Sequence, residues 1–364
     1  GDEGQAPDAA IAEIEGEADA PAYRGLCYVV FEDMALADFG NRIPQLQFEI
    51  FRPLLGADDL ESRITAVALI PGAGEFVYAT EAVAADDGAG GSVSQNVHGA
   101  GGVTDLVASL DDLQAAAPNL DTVALVVGWF GDDLRAGQIA IRPGVEAAEK
   151  DTYPESWSVA GLARAEAHLL SRIAGRPAYG GTPSDASVTA AIQELKRRGL
   201  RVLFYPFLFM DVPAGNALPD PYGGSAQAAY PWRGRIVPAA ADRTVGVAEE
   251  VDAFFNGTWG WRRMVLHYAQ LCADAGGVDD FLIGSELRGL TRARSDDATY
   301  PAVAALTALA GDVRAIVGGG TRLSYGADWS EYNAHQTGDA PGALRFNLDP
   351  LWTDANIDFV GIDN

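Results

Sequence analysis

Residues 279–290, DDFLIGSELRGL, join the pattern of a buried strand to a single carboxylate. The apolar run at 281–283 ends at Gly284 and Ser285, and Glu286 follows directly. A short apolar run bounded in this way is typical of a strand that a parallel sheet buries on both faces. Glu286 therefore has two interpretations: the acid of an enzyme site, or a residue in the first turn of the next helix.

Comparable runs recur along the chain, at DTVALVVGWF (121–130), RPAYGG (176–181), RVLFYPFLFM (201–210), TRLSYGADW (321–329) and IDFVGIDN (357–364). Apolar spacing and end signals between them predict helices over 105–117, over 159–174, from Ser184 or Asp185 to Gly199, over 261–275 and from Pro301 onward. Six β units with intervening helices, none carrying a GxGxxG phosphate loop, favour a (β/α)8 barrel over a doubly wound sheet. Strands seven and eight are expected beyond residue 364.

The sequence predicts three regions. Residues 1–20 are acidic and Ala-rich and are interpreted as a linker, residues 21–100 as a small β-rich segment, and residues 101–364 as the barrel domain. The β-rich segment includes runs at 26–31 and 45–51 and the sequence ITAVALI (64–70). Because the chain starts without Met and ends on an apolar strand pattern, we expect it to be an internal piece of a longer polypeptide.

Composition excludes several classes of protein. The formal net charge of −26 repels nucleic-acid backbones and anionic membrane surfaces, and no apolar run has the length of a membrane-spanning helix. Cys27 and Cys272 lack CxxC spacing and are interpreted as buried free thiols. The four histidines show no HxxH or HExxH grouping, so neither a metal site nor a cofactor is expected.

In a (β/α)8 barrel, reactive side chains lie at the carboxyl ends of the strands and on the loops that follow. This rule selects Trp129, Asp132, Asp133, Asp211, Glu286, Tyr325, Asp328, Trp329 and Asp363. Several have structural alternatives: Trp129 fits a core residue better than a platform for sugar, and Asp132 and Asp133 fit loop acids or a helix cap. Asp328 and Trp329 fit a buried strand end as well as a site.

The loop after residue 210 contains PDPYGGSAQAAYPWRGRI (219–236), which has Tyr222, Tyr230 and Trp232 beside Arg233. Flat aromatic faces suit sugar rings, and hydrolysis of a glycosidic bond needs two carboxyl groups, one of them an acid. The same aromatic loop would also pack readily onto its own barrel. Carbohydrate is therefore the substrate class that these residues favour, with packing as the alternative.

The stretch GLCYVVFEDMALADFGNRIPQLQFEI (25–50) resembles a segment of phage tail-tip and hub proteins. The motifs VVGWFGDDLRAG (126–137), PWRGRI (231–236), FLIGSEL (281–287), YGADWSEY (325–332) and FVGIDN (359–364) resemble the TIM-barrel-like domain of the large tail hub protein of bacterial gene transfer agents. The resemblance implies a tail hub or baseplate component of a phage-like particle, assembled in the bacterial cytoplasm. It also implies other tail proteins and cell-surface glycan or peptidoglycan as partners, and a homotrimer.

That barrel is similar in turn to clan-A glycoside hydrolases, in which an acid/base glutamate closes strand four, usually after Asn, and a nucleophile closes strand seven. The resemblance implies Glu286 as the general acid/base, although Ser285 stands where Asn is usual. The strand-seven carboxylate would lie outside the chain. Asp211, Trp232, Arg233, Tyr325, Asp328, Trp329 and Asp363 are the candidate substrate-binding residues. Three hypotheses remain open: a structural tail component, an active glycoside hydrolase, and an inactive glycan-binding or architectural barrel.

Overall fold

The computed structural model describes residues 60–363 except 73, 87 and 100, and, before residue 60, only 6–7, 9–16, 20, 34–35 and 37. Contacts divide the chain into two units, Gly1–Arg52 and Pro53–Asn364. In the first unit a helix spans Ala9–Glu15, within the predicted linker. The predicted strands at 26–31 and 45–51, and Cys27, lie outside the described residues.

The second unit is built on six parallel strands, β1 (Ala66–Leu69), β2 (Thr122–Gly131), β3 (Arg201–Met210), β4 (Asp280–Ser285), β5 (Arg322–Asp328) and β6 (Gly361–Asp363). They pair in chain order, and every pairing between neighbours is parallel. The principal helices are α1 (Asp105–Ala116), α2 (Asp185–Arg197), α3 (Val245–Asn256), α4 (Trp261–Asp274) and α5 (Pro301–Val317). Strand and helix alternate as in a TIM barrel, so the unit is an α/β, TIM-barrel-like domain with six parallel strands among its described residues.

Shorter elements fill the connections. Helical turns occur at Leu60–Arg63, Arg164–Glu166, Arg233–Arg235, Arg288–Thr291 and Asp349–Trp352. Short strands occur at Ala84–Asp86, Ser92–Ser94, Ile141–Arg142, Gly144–Val145, Thr152–Tyr153, Ser158–Val159, Leu162–Ala163, His168–Leu169, Arg172–Ile173, Arg176–Pro177, His335–Gln336 and Leu344–Arg345. Within the described residues, no helix is long and apolar enough to cross a membrane.

The strand numbering differs from the sequence prediction in two places. The run at 176–181 is outside the parallel sheet, because Arg176–Pro177 pairs antiparallel with Arg172–Ile173. The first strand is instead β1, from the ITAVALI run that the prediction placed in the β-rich segment. The parallel sheet therefore starts well before residue 101. The two differences offset each other, so Glu286 still follows the fourth strand.

The helix predicted over 159–174 is wrong, because two hairpins occupy that stretch. Ala160 and Gly161 both have positive φ, of 51° and 77°, and connect two short antiparallel strands. Ala174 and Gly175 do the same, with φ of 49° and 81°. Two consecutive positive-φ residues are the signature of a tight two-residue hairpin turn. Gly161 and Gly175 are therefore turn residues.

Helices α1, α2, α4 and α5 confirm four predictions. Ser184 caps α2, since its hydroxyl accepts a hydrogen bond from the Ser187 N–H. Helix α3 was missed within the long loop after β3, although Val247, Val251, Phe254 and Phe255 are buried at helical spacing.

The core lies between the sheet and these helices. The Phe204 and Phe281 rings stack with centroids 5.6 Å apart on neighbouring strands. Trp129 is fully buried, and its indole N–H donates to the Tyr268 hydroxyl of α4 at 2.9 Å. The interpretation of Trp129 as a core residue is confirmed. Cys272 is a buried free thiol on α4. Burying each such side chain contributes on the order of 1.5–3 kcal/mol.

Candidate functional site

Glu286 follows β4 at a turn with an uncommon backbone conformation. Its φ is +52°, in the left-handed region that residues with a Cβ seldom adopt. Its N–H donates to the Gly326 carbonyl of β5 at 2.8 Å, which fixes the turn. The β4–β5 pairing shifts register between Leu282 and Ser285, immediately before the turn. The end of β4 is therefore bent, and Glu286 is presented at the carboxyl end of the sheet.

Two residues of the loop after β3 bind the Glu286 carboxylate. The Trp232 indole N–H donates to Oε2, and Arg233 Nη2 lies 3.3 Å from the same oxygen. Arg233 is only 5% exposed, and its guanidinium carbon lies 3.8 Å from the centre of the Phe207 ring. Its Nε donates to the Ser285 carbonyl at 3.1 Å and its Nη2 to the Ser285 hydroxyl at 2.9 Å. Arg233 is therefore a fixed, buried cation at the base of the site.

Asp363, at the end of β6, is the second carboxylate of this cluster. The Tyr205 hydroxyl donates to its Oδ2 at 2.6 Å, and Arg233 Nη2 lies 3.8 Å from the same oxygen. Strands three, four and six thus each contribute to one cluster, in which two carboxyl groups share a buried guanidinium.

The cluster raises the pKa of Glu286. Burial is the largest cause, and the negative charge of Asp363 adds to it, whereas the Arg233 charge and the Trp232 hydrogen bond act in the opposite direction. The protonated form of Glu286 is thereby favoured relative to an ordinary glutamate. A carboxyl group with this tendency, beside a tryptophan that is 36% exposed, can donate a hydrogen bond or a proton to a bound oxygen.

Trp329 is a further exposed aromatic residue at this end of the sheet. Its side chain is 63% exposed, and its backbone N–H donates to the Asp363 carbonyl at 3.0 Å. The structure thus brings five sequence candidates to one region, namely Glu286, Trp232, Arg233, Asp363 and Trp329.

Two other candidates have structural partners instead. Tyr325 is fully buried, so it has no face to offer a sugar ring. Its hydroxyl accepts from the Leu287 N–H at 2.7 Å and donates to Glu331 Oε1 at 2.9 Å, which holds the backbone just after Glu286. Asp328 is 8% exposed, and its Oδ2 accepts from the Ser330 N–H at 2.8 Å in the turn after β5.

Asp211 holds a different part of the chain. It is 3% exposed, and its Oδ2 accepts from His168 Nε2 at 2.8 Å and from the Ser171 N–H at 2.9 Å. Burial alone would raise the pKa of Asp211, but these hydrogen bonds outweigh it and the pKa is lowered. Asp211 therefore anchors the hairpin region after β2 to the end of β3.

The remaining loop residues also have structural roles. Asp133 pairs with Arg135 at 2.6 Å, and Asp132 with Arg142 at 3.1 Å, which confirms their interpretation as loop acids. The hydroxyl of Tyr222 donates to the Arg235 carbonyl at 2.8 Å. In the described part of the chain, no three His, Cys, Asp or Glu side chains are grouped closely enough to hold a metal ion.

Sequence reasoning missed two residues of this region, Tyr205 and Glu331. Tyr205 lies inside an aromatic strand run, where nothing distinguishes it from a core residue. Glu331 is fully buried among Tyr325, the Thr291 hydroxyl and the Asp328 N–H, and burial raises its pKa to about 7. Ser285 is fully buried with its hydroxyl turned onto Arg233, so it does not face a ligand.

The fold and this cluster define the class as a TIM-barrel-like domain with paired carboxyl groups at the carboxyl end of its sheet. Residues 259–364 match the family model of the GTA TIM-barrel-like domain. No curated protein matches the chain.

Among solved structures, the chain is similar to a GH113 β-1,4-mannanase in a complex, with 15% identity, a TM-score of 0.37, and 71% of this chain and 55% of that chain covered. It is also similar to the GH113 β-mannanase AaManA from Alicyclobacillus acidocaldarius in complex with ManMIm, with 15% identity, a TM-score of 0.40, and 73% and 57% covered. The chain therefore spans little more than half the length of these mannanases, and at these scores the likeness says nothing about substrate.

Proposed function

We propose that the barrel is the glycan-contacting domain of a tail component in a particle of the gene-transfer-agent type. The match of residues 259–364 to the GTA TIM-barrel-like domain supports the kind of particle. The cluster at the carboxyl ends of β3, β4 and β6 supports the kind of ligand. In this proposal the domain contacts cell-surface glycan or peptidoglycan while DNA is delivered.

The single observation that carries the glycan proposal is the pairing of Trp232 with Glu286. The indole N–H is bound to the carboxylate, which orients the ring, while about a third of the side chain stays exposed. Aromatic faces next to hydrogen-bonding carboxyl groups suit a sugar ring, because its C–H faces are apolar and its edges carry hydroxyls.

Binding of purified peptidoglycan sacculi and of cell-surface polysaccharide in a sedimentation assay tests this role. Trp232→Ala is expected to lower the bound fraction several-fold, since an aromatic contact contributes on the order of 1 kcal/mol or more. Tyr153→Ala is the matched control, because Tyr153 is an exposed aromatic residue on a short strand far along the chain from the cluster. Equal binding by all three proteins would exclude Trp232 as a glycan contact.

The position in the particle is a separate part of the proposal. A homotrimer at the tail tip, surrounded by other tail proteins, is the arrangement that the hub resemblance favours. Labelling the protein in purified particles and locating the label by electron microscopy tests it. Label at the tail tip supports the proposal, whereas label on the head or along the tail tube excludes it.

A second candidate function, glycoside hydrolysis, is supported by one specific observation: the partly buried Glu286 carboxyl shares Arg233 with a second acid, Asp363, and burial raises the pKa of Glu286. A general acid must keep its proton near the working pH, and burial beside Asp363 favours that form. The test of hydrolysis is release of reducing sugar from the same glycans, measured for the protein and for Glu286→Gln. Loss of release by at least a hundredfold supports hydrolysis, and binding without release by either protein leaves the barrel as a glycan-binding module.

A further inference from the structure

A cavity of about 320 Å³ lies among the loops that follow β3, β4 and β5. Its lining comes from three segments, 237–247, 289–294 and 335–338. All three segments follow strands of one parallel sheet, so the cavity lies on the side where TIM-type barrels bind their ligands. Its volume is at the lower end of the range for small-ligand sites, about 300–1,000 Å³.

Arg292 is the first unusual feature of this cavity. Its Nη2 donates to the Ser330 carbonyl, but its Nε is buried and has no hydrogen-bond partner among the described residues. Among the described residues, no carboxylate forms an ion pair with Arg292. Burial and the nearby charge of Arg288 lower the pKa of Arg292, although Glu331 and Asp328 act the other way. A half-buried guanidinium without a bound anion is costly, because its charge is only partly compensated.

The other charged pair of the lining, Arg294 and Asp242, belongs to an ion-pair network. Arg294 Nη2 binds Asp242 and lies 2.8 Å from Asp339 Oδ1, and Arg243 lies 3.5 Å from Asp339 Oδ2. Arg243 also lies 3.2 Å from Asp297, so two arginines and three aspartates form this network. Among the described residues, Arg292 lies outside it and has no carboxylate partner of its own.

Thr337 supplies an independent observation. Its side chain lines the cavity and is 5% exposed, and its hydroxyl has no hydrogen-bond partner among the described residues. A buried hydroxyl without a partner is destabilising, which is why such groups are rare. His335 lies on the same wall of the cavity. Burial is the largest cause that lowers the pKa of His335, and the charges of Arg292 and Arg294 lower it further, although Asp242 acts the other way. The arginine charges indicate a positive potential in the cavity.

We propose that this cavity is a binding site for an oxyanion, either a carboxylate or a phosphate group on a molecule of about the size of one sugar, held by the Arg292 guanidinium and the Thr337 hydroxyl. The planar guanidinium fork matches both anions, and the hydroxyl adds a neutral donor. The net charge of −26 disfavours polyanions, so the ligand carries one or two charges.

Titration calorimetry with glucuronate, glucose 6-phosphate and glucose tests this site and separates the two sources of the anion. At least one of the charged sugars is expected to bind at least tenfold more tightly than glucose. Binding of only one of them identifies the group as carboxylate or phosphate. Equal affinity for all three sugars, or no binding of either charged sugar, overturns the proposal.

Two variants locate the site. Arg292→Gln is expected to weaken anion binding at least tenfold. Arg172→Gln is the control and is expected to leave anion binding unchanged, because Arg172 lies on an exposed hairpin and its side chain donates only to backbone carbonyls. Unchanged binding by Arg292→Gln overturns the assignment.

Thr337→Val keeps the shape of the side chain and removes only the hydroxyl, so we expect this variant to fold as the unchanged protein does. It is expected to weaken anion binding severalfold while the melting temperature stays equal or rises, since the hydroxyl has no partner in the free protein. Thr104→Val is the matched control: Thr104 is also 5% exposed with an unpartnered hydroxyl, but it precedes α1, away from the cavity in the sequence. Equal binding by the two variants overturns a role for Thr337.

Discussion

The Glu286 and Asp363 carboxyl groups, at the ends of β4 and β6, share one buried cation, the Arg233 guanidinium. Arg233 Nη2 lies 3.3 Å from Glu286 Oε2 and 3.8 Å from Asp363 Oδ2. The guanidinium thereby stabilises a pair of groups that would otherwise repel each other. Strand six thus provides one carboxyl group near Glu286, and the strand-seven carboxylate that the resemblance implies stays a prediction.

Asp363→Asn is expected to lower the pKa of Glu286, because it removes a negative charge that disfavours the ionised form of Glu286. The glutamate would then ionise at a lower pH than in the unchanged protein. Carbon-13 NMR titration of the Glu286 carboxyl measures the shift. Asp252→Asn is the control, since Asp252 is an acid on α3 that binds Asn256. A titration unchanged by Asp363→Asn would show that the two carboxyl groups are not coupled.

Arg233→Gln is expected to destabilise the fold by about 3 kcal/mol at pH 7, since removing one partner of a buried ion pair leaves uncompensated charge. The loss should be smaller at pH 5, because Glu286 would be protonated more fully once the arginine that lowers its pKa is gone. Denaturant unfolding at both pH values measures it. An equal loss at both would mean that Arg233 acts through its packing on Phe207 instead.

Glu331 is expected to make the protein less stable as pH rises. Its folded pKa of about 7 lies above the ordinary value of 4.5, so the folded state holds this proton more tightly than the unfolded state does. The resulting stabilisation is full below about pH 4.5 and is lost as pH rises through about 7, by up to about 3 kcal/mol.

Glu331→Gln is therefore expected to flatten the pH dependence of the unfolding free energy between pH 5 and 8. Glu249→Gln, at an exposed position of α3, should keep the original slope. The same slope in the Glu331→Gln variant would contradict a buried, protonated Glu331.

Long apolar strands and amphipathic helices could be predicted from the sequence because each is specified locally. Apolar residues form runs in strands β2 to β5, and they recur at helical spacing in helices α1, α2, α4 and α5. The predicted position of Glu286 after the fourth strand held only because β1, which the prediction placed in the β-rich segment, replaced a false second strand. β1 has four residues and no fully buried side chain, so its pattern does not show that it belongs to the parallel sheet.

Site partners were harder to predict than site positions. The end-of-strand rule selected Glu286, Asp363 and Trp329, but it also selected Tyr325, whose hydroxyl faces the core. The direction of a strand-end side chain depends on local register, and β4 and β5 lose their regular register at Ser285. Tyr205 could not be distinguished within its aromatic run, since only the fold brings its hydroxyl to Asp363.

The false helix at 159–174 gives a direct test of turn chemistry. Ala174 is exposed with φ of +49°, in a tight turn where asparagine is better tolerated than alanine. Ala174→Asn is therefore expected to stabilise the protein by about 0.5–1 kcal/mol, whereas in a helix the same change would cost about 0.6 kcal/mol. Ala304→Asn supplies that comparison, because Ala304 is an exposed residue inside α5 and should show the cost. Thermal unfolding of the two variants gives opposite signs if the hairpin is correct. If both variants lose stability, residues 172–177 do not form the turn.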